Sequence, residues 1–303
     1  VTQTQAGTVA ERRPATPPGT PAGRPARGPG RRLPRGNYPA GFAALLWLAV
    51  VVIPLYVLVI STLQDRASYL ENGPLSLPTS PSLDSYQRVL EGEFPRYLLN
   101  TLVVTVSCAA IAVVLSVTVA YTVVRNRSAI SRRTFQLFLL GLAIPSQAVI
   151  IPIYWLITEL QMYDTLMAVI LPTAAFSLPV SVLILVGTMR DIDEELYESM
   201  ALDGASQTRI LLQLVVPMSR AGISTVGVFA ALGAWNGFLF PLILTQSQEN
   251  RVLTLGLYDY IGEYRADIPA LLSAVVLSIV PIFTAYLFAR RQLINGLMGV
   301  GGR

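Results

Sequence analysis

Six uncharged, strongly apolar runs alternate with polar stretches along the chain, at residues 41–63, 98–124, 135–157, 166–189, 221–245 and 269–289. At about 1.5 Å of helical rise per residue, each is long enough to cross the roughly 30 Å hydrocarbon core of a bilayer. The pattern predicts an all-α, polytopic membrane protein with six transmembrane helices over residues 38–290. The first run is too long for the apolar region of a cleavable signal, and Gln64-Asp65-Arg66 follows it, so a retained anchor is expected. Pro145 in the third run and Pro172 and Pro179 in the fourth each remove a backbone donor, and a kink is expected at 143–147.

The polar stretches differ in character. Residues 1–37 are rich in Pro, Gly, Thr and Arg and hold too little apolar surface for a core, which predicts a disordered basic tail. Residues 64–96 carry acids and a Pro/Ser segment, read as an external loop with one short amphipathic helix at 83–90. A second external loop is expected at 246–268. Residues 291–303 form a short tail ending in glycines and an arginine.

Charge fixes the expected orientation. With both termini inside, seventeen arginines fall on the cytoplasmic side and five on the other, the asymmetry that positive-inside topology requires. The expected topology is therefore multi-pass, with both termini cytoplasmic. Composition agrees, at 53% hydrophobic and 13% charged residues, too apolar for a soluble domain of this length. The arginines sit beside apolar runs, as orientation signals do, and nucleic acid is not expected as a partner.

Several chemistries are excluded by residue usage. The chain has no histidine, which removes His-based triads and histidine proton relays. It has no lysine either, so it lacks the phosphate-binding loop of an ATPase. The single cysteine, Cys108, has no disulfide partner in the chain and reads as a small buried hydrophobe. No acid or arginine falls in the middle of a run, whereas proton-driven transporters and ion channels keep ionisable groups at membrane depth. A sodium site built from carbonyls and hydroxyls stays open, but a gradient-driven transporter is the weaker alternative. A membrane enzyme lacks a catalytic constellation.

Residues 190–220 interrupt the apolar pattern with RDIDEELYESMALDGASQTRILLQLVVPMSR. Asp193, Glu194 and Glu195 suit the first turn of a helix, where acids meet the positive end of the dipole. Leu196 and Met200 form an apolar i, i+4 stripe, Gly204 suits a left-handed helix end, and Ser206 suits the cap of a second helix carrying Ile210 and Leu214. Pro217 stops or bends that helix. A helix, a glycine turn and a second helix are predicted.

Glu198-Ser199-Met200, three residues, Gly204, nine residues and Leu214-Val215-Val216-Pro217 together resemble the EAA loop of ATP-binding-cassette importer permeases. That family pattern is Glu-Ala-Ala, three residues, Gly, nine residues, an aliphatic, one residue, Leu-Pro. This chain departs from it at Ser199, Met200 and Val216. Leu202-Asp203-Gly204-Ala205-Ser206, Trp235-Asn236-Gly237-Phe238-Leu239, Ile151-Pro152-Ile153-Tyr154 and Arg291-Gln292-Leu293-Ile294-Asn295-Gly296-Leu297 are similar to the carbohydrate branch, specifically the second permease subunit of maltose-type importers. The likeness covers the chain from about residue 40.

This resemblance implies a type I importer permease of a bacterial inner membrane, one that does not hydrolyse ATP. Glu198, Ser199, Met200, Leu202, Asp203, Gly204 and Ala205 would enter a groove of a cytoplasmic ATPase, and Gln292, Asn295 and Gly296 would reach the interface between the two ATPases. The implied partners are a second permease subunit in a heterodimer, two ATPase subunits that hold ATP and Mg, and an extracytoplasmic sugar-binding protein. The chain itself binds no cofactor or metal. For the path of a sugar, neutral hydrogen-bonding and aromatic groups nominate Asn100, Ser146, Gln147, Tyr154, Trp235 and Asn236. A polyol, a glycerol phosphate or another small polar solute is the alternative cargo.

Overall fold

A computed structural model describes residues 38–78, 80–126, 128–262 and 266–299; the expected basic tail at 1–37 lies outside them. The chain divides into two units, 1–51 and 52–303. The first contributes the opening turns of α1, Tyr38–Thr62. The second holds the remainder of α1 and every element after it.

Two short helices follow, α2 (Arg66–Asn72) and α3 (Asp84–Glu91), then the 32-residue α4 (Phe94–Arg125). α5 (Ala129–Gly141) and α6 (Ile150–Glu159) are separated by a single tight turn, Ser146–Val149. α7 (Leu166–Arg190) leads into α8 (Glu194–Leu202) and α9 (Gln207–Ile210). One wide turn at Leu211–Val215 joins α9 to the three-residue α10 (Val216–Met218), and α11 (Arg220–Trp235), α12 (Leu239–Leu244), α13 (Leu253–Gly256) and α14 (Ile268–Gly299) complete the chain. Among the described residues there is no strand, only one isolated bridge between Ile261 and Ala266.

Among the described residues four helices are long and apolar enough to cross a membrane, and up to six spans result if each of two bent pairs counts as one. The expected third span is one such pair: α5 and α6 meet at 98°. Pro145 stands at the break, where its ring cannot continue the hydrogen-bond ladder. Pro172 and Pro179 lie inside an unbroken α7. The other bend, of 79°, falls between the α9–α10 segment and α11, just after Pro217. The run at 221–245 is divided at Asn236-Gly237-Phe238, between α11 and α12. α14 continues past 289, where a tail was expected, to Gly299.

The core of the second unit forms where α4 packs against α7 and α11. α4 presents Val104, Cys108, Ala112, Ser116 and Ala120 along one side, all buried. α11 answers with Gly222, Val226, Ala230 and Ala234, one per turn. Small residues at helical spacing let backbones approach closely, which is how helices associate where lipid gives no hydrophobic drive. The outer surface of the long helices is apolar too, with Leu99, Val106, Ile151 and Trp155 exposed, the pattern of a surface solvated by lipid.

The end of the bundle holding the α6–α7 and α12–α13 connections is locked by hydrogen bonds. Asp164, in left-handed conformation with φ +58°, accepts from the backbone N–H groups of Gln246 and Ser247 at 2.9 and 3.0 Å and from the Ser247 hydroxyl at 3.1 Å. Partial burial raises its pKa, but these donors outweigh that and hold the carboxyl below its ordinary value. A depressed carboxylate pKa contributes stability that is fully present above the unfolded value of about 4 and is lost as pH falls through the folded one. Asp164→Asn keeps a residue tolerant of left-handed backbone and removes only the charge. It is expected to lower the thermal midpoint at pH 7 and to flatten the loss of stability below pH ~4, read by thermal unfolding from pH 3 to 7. An unchanged acid profile would assign that sensitivity to other carboxylates.

Candidate functional site

The stretch between α7 and α11 is built on one side chain. Tyr197 is 1% exposed and is seated among Tyr121, Val186, Met189, Ile192 and Ile210. Leu196 is exposed and Met200 half-buried, so the inward side of α8 is formed by Tyr197 with Met200 and not by the expected Leu196–Met200 pair. The reason is the end of α4. Arg125 donates to Glu194 Oε1 at 2.6 Å and lays its guanidinium 4.2 Å from the centre of the Tyr197 ring, a cation–π contact that only an aromatic at 197 can make. Burial pushes the Tyr197 phenol pKa up, against the pull of Arg125.

The second helix is held to the same support. The Tyr121 hydroxyl donates to Gln207 Oε1 at 2.7 Å. The Ser206 hydroxyl accepts from the Arg209 N–H at 3.3 Å, the cap expected from its position. Both short helices are therefore tied to the last two turns of α4. A wide i→i+5 turn follows at 211–215, a local irregularity frequent at functional sites.

Between the helices the chain reverses in a Schellman motif. The Gly204 N–H donates to Ala201 O and the Ala205 N–H to Met200 O, both at 3.0 Å, with Gly204 at φ +74°. This is the left-handed closure that glycine accommodates without a Cβ penalty. Met200 and Ala205 turn inward onto the core. Glu198, Ser199, Leu202 and Asp203 stay exposed beside Gly204, and Leu202 is 88% exposed. The tip thus shows a carboxylate next to a bare leucine, while Met200, where the sequence departs from the usual alanine, is an anchoring position. Gln292, Asn295 and Gly296 fall within α14; their side chains lie outside the described residues.

The six residues nominated for a solute path are scattered. Asn100 is buried and donates to the carbonyls of Glu249 and Arg251 at 2.7 and 2.8 Å, fastening a loop to α4. Trp235 is buried among Val89, Phe94 and Tyr97. Asn236 donates back to Leu232 O at 2.9 Å, closing the end of α11. Tyr154 stacks edge-on against Tyr163 at 5.6 Å. Ser146 and Gln147 form the turn between α5 and α6 and bond to each other at 3.3 Å.

Of these, Ser146 lines a cavity of about 270 Å³ between α7, α11 and α12. Thr173 and Ser177 supply hydroxyls from α7, and Phe176, Phe229 and Phe240 supply aromatic walls, with the Phe176 and Phe240 rings 5.5 Å apart. Hydroxyls and aromatic faces around a charge-free space suit a neutral polyhydroxyl solute. The i, i+4 spacing of Thr173 and Ser177, with Phe176 between, was readable as a polar stripe within an apolar run. It was masked because a serine or threonine in such a run usually bonds its own helix, as Ser177 does to Ala174 O.

A family model described as the binding-protein-dependent transport system inner membrane component matches residues 112–294. A Caldicellulosiruptor sp. (strain Rt8B.4) protein, named provisionally as an ABC transporter permease, is 32% identical over 84% of this chain and 92% of its own length. A diacetylchitobiose uptake system permease protein of Streptomyces coelicolor is 29% identical over 82% of this chain and 83% of its own. The fold is similar to a chain in the crystal structure of a bacterial ABC transporter that imports the acidic polysaccharide alginate, with a TM-score of 0.74 at 18% identity, covering 86% of this chain and 98% of that one.

Proposed function

The chain belongs to the family of binding-protein-dependent transport system inner membrane components, and from that premise we propose that it carries a neutral sugar or oligosaccharide inward and couples its movement to ATPase subunits through residues 190–220. The observation that carries this reading is the exposed Glu198–Gly204 tip standing on a rigid base. Tyr197, Arg125 and Tyr121 bind both short helices to α4, and α4 packs on α7, which lines the hydroxyl and aromatic cavity. A push on the tip reaches the cavity wall through two packed helices.

In this reading the chain pairs with a second permease subunit, receives solute from an extracytoplasmic binding protein, and keeps both termini in the cytoplasm. ATP and Mg belong to the ATPase subunits, and α14 past Gln292 adds a second contact there. Glu198 pairs with a basic group in the ATPase groove. A charge pair across that joint fixes register more than it adds affinity.

Glu198→Ala should leave the permease pair assembled and cut ATP-dependent uptake by at least about tenfold, the usual cost of truncating one partner of an interfacial charge pair. The measurement is uptake of labelled diacetylchitobiose and a panel of other sugars into vesicles carrying the whole importer. Full uptake by the variant would remove Glu198 from the coupling. Uptake of a small anion or polyol, with no sugar transported, would favour the alternative cargo.

A further inference from the structure

A cavity of about 420 Å³ opens beside the base of the coupling loop, walled by the end of α4, the first turns of α5, the end of α7 and the start of α8. Two of its side chains, Arg132 and Arg190, are exposed cations with no ion pair among the described residues. The Arg190 guanidinium only faces the Phe135 ring at 5.8 Å. Among the lining residues the sole carboxylate is Glu194, which Arg125 already holds. Asn126, Ser128 and Ser131 add neutral polar groups, and the positive end of the α5 dipole stands at Ser128. Tyr197, whose buried hydroxyl has no hydrogen-bond partner among the described residues, forms part of the wall. A space with this balance selects an anion with several acceptor oxygens.

A second groove, of about 250 Å³, adjoins the first and shares Val123, Asn126, Ser128 and Ser131 with it. It runs along α4 past Thr122, Val119 and Thr118 and is closed by Ile130 of α5. Thr118 and Thr122 spend their hydroxyls on their own helix, at 2.8 and 2.9 Å, so the groove presents methyl groups. Ile130, Leu137 and Leu140 leave the outer face of α5 apolar and exposed. An anion pocket at the ends of membrane helices, continued by an apolar groove along one of them, has the polarity profile of a phospholipid.

We propose that this pair of cavities is a binding site for an anionic phospholipid, its phosphate held by Arg132 and Arg190 and one acyl chain laid along α4 against Ile130. The site requires only that this end of the bundle meets a bilayer surface, and it is independent of the transported solute. Because its wall includes Glu194 and Tyr197, a bound lipid steadies the base of the coupling loop.

The test uses the whole importer in nanodiscs of phosphatidylcholine with or without phosphatidylglycerol, reading retained lipid by native mass spectrometry and the thermal midpoint of the complex. Phosphatidylglycerol should be retained and raise the midpoint. Arg132→Gln with Arg190→Gln should weaken retention about tenfold or more, as expected from two interfacial charges. Arg132→Gln alone, at an exposed side chain, should give part of that loss and keeps the test open if the double variant assembles poorly. Arg133→Gln, outside the cavity, should change nothing. Equal losses for Arg132 and Arg133 variants would reduce the effect to surface charge and overturn the site. An equal rise in midpoint with inorganic phosphate in phosphatidylcholine discs would identify a soluble anion and overturn the lipid assignment.

Discussion

Gly204→Val is expected to abolish the proposed association with ATPase subunits, and Gly204→Asn to retain most of it. This is the expected result for a turn that depends on backbone conformation alone. Gly204 sits at φ +74°, and no atom lies within 4 Å of where a Cβ would stand, so the cost of substitution lies in the local backbone conformation and not in contacts with other elements. An L-residue in the left-handed region costs roughly 1–2 kcal/mol. A β-branched side chain adds crowding and cannot hold the turn, whereas asparagine enters this region readily. The Schellman bonds from Gly204 to Ala201 and from Ala205 to Met200 would open in the valine variant, and Glu198 and Leu202 would lose their common orientation. The measurement is co-purification of the ATPase subunits with a tagged permease. If valine and asparagine variants capture ATPase equally, the tip geometry is irrelevant to docking.

Gly256→Ala should be strongly destabilising, for the opposite reason. Here the backbone is ordinary and the space is taken: a Cβ at 256 would lie 2.6 Å from Cε2 and 2.9 Å from Cγ of Tyr97. The ring has nowhere to go. Tyr97 is buried among Val89, Phe94 and Leu253, its hydroxyl donates to Asp259 at 2.6 Å, and Asp259 is itself paired with Arg251. One turn along α4, the Leu253 N–H donates to the Thr101 hydroxyl at 2.8 Å, so α13 cannot slide away either. Overpacking of this kind typically costs about 1–3 kcal/mol, and a pinned aromatic argues for the upper end. Thermal unfolding of the purified complex should show the drop, and Tyr97→Leu combined with Gly256→Ala should recover part of it. A Gly256→Ala variant that melts with the parent would mean the ring is free to move.

The two glycines also show where sequence reading reached and where it stopped. Gly204 was recognisable because its neighbours announce a helix end: acids at one boundary, an apolar repeat, then a serine cap. Gly256 gives no local sign. Its necessity comes from a ring far away in the chain, and only the folded structure brings the two together. Tyr197 is similar. The i, i+4 rule draws the apolar stripe of α8 through Leu196 and Met200; Met200 does turn inward, but Tyr197 takes the buried place beside it and Leu196 is exposed. Arg125 decided otherwise by offering a cation to an aromatic ring.

The nominated solute path illustrates the same limit. Asn100 and Asn236 are polar residues within apolar runs, which marked them for attention, but polar groups at such depth must first satisfy hydrogen bonds, and both spend theirs on backbone carbonyls. The cavity that does collect hydroxyls and rings draws Thr173, Phe176 and Ser177 from α7, Phe229 from α11 and Phe240 from α12, three segments whose facing sides no single run reveals.

What the sequence determined alone is whatever depends on local composition and period: the apolar runs long enough to cross a bilayer, the break at Pro145, the glycine turn at 204 with its cap at Ser206, and the absence of lysine or histidine chemistry. These follow from hydrophobicity, ring geometry and backbone sterics within a few residues. What the tertiary structure decided is which side chains meet: Arg125 with Tyr197, Tyr97 with Gly256, Arg132 and Arg190 around one cavity. Contacts between residues distant in the chain depend on how α4, α7 and α11 rotate to bring their small residues together, and that rotation is settled by packing the whole bundle at once.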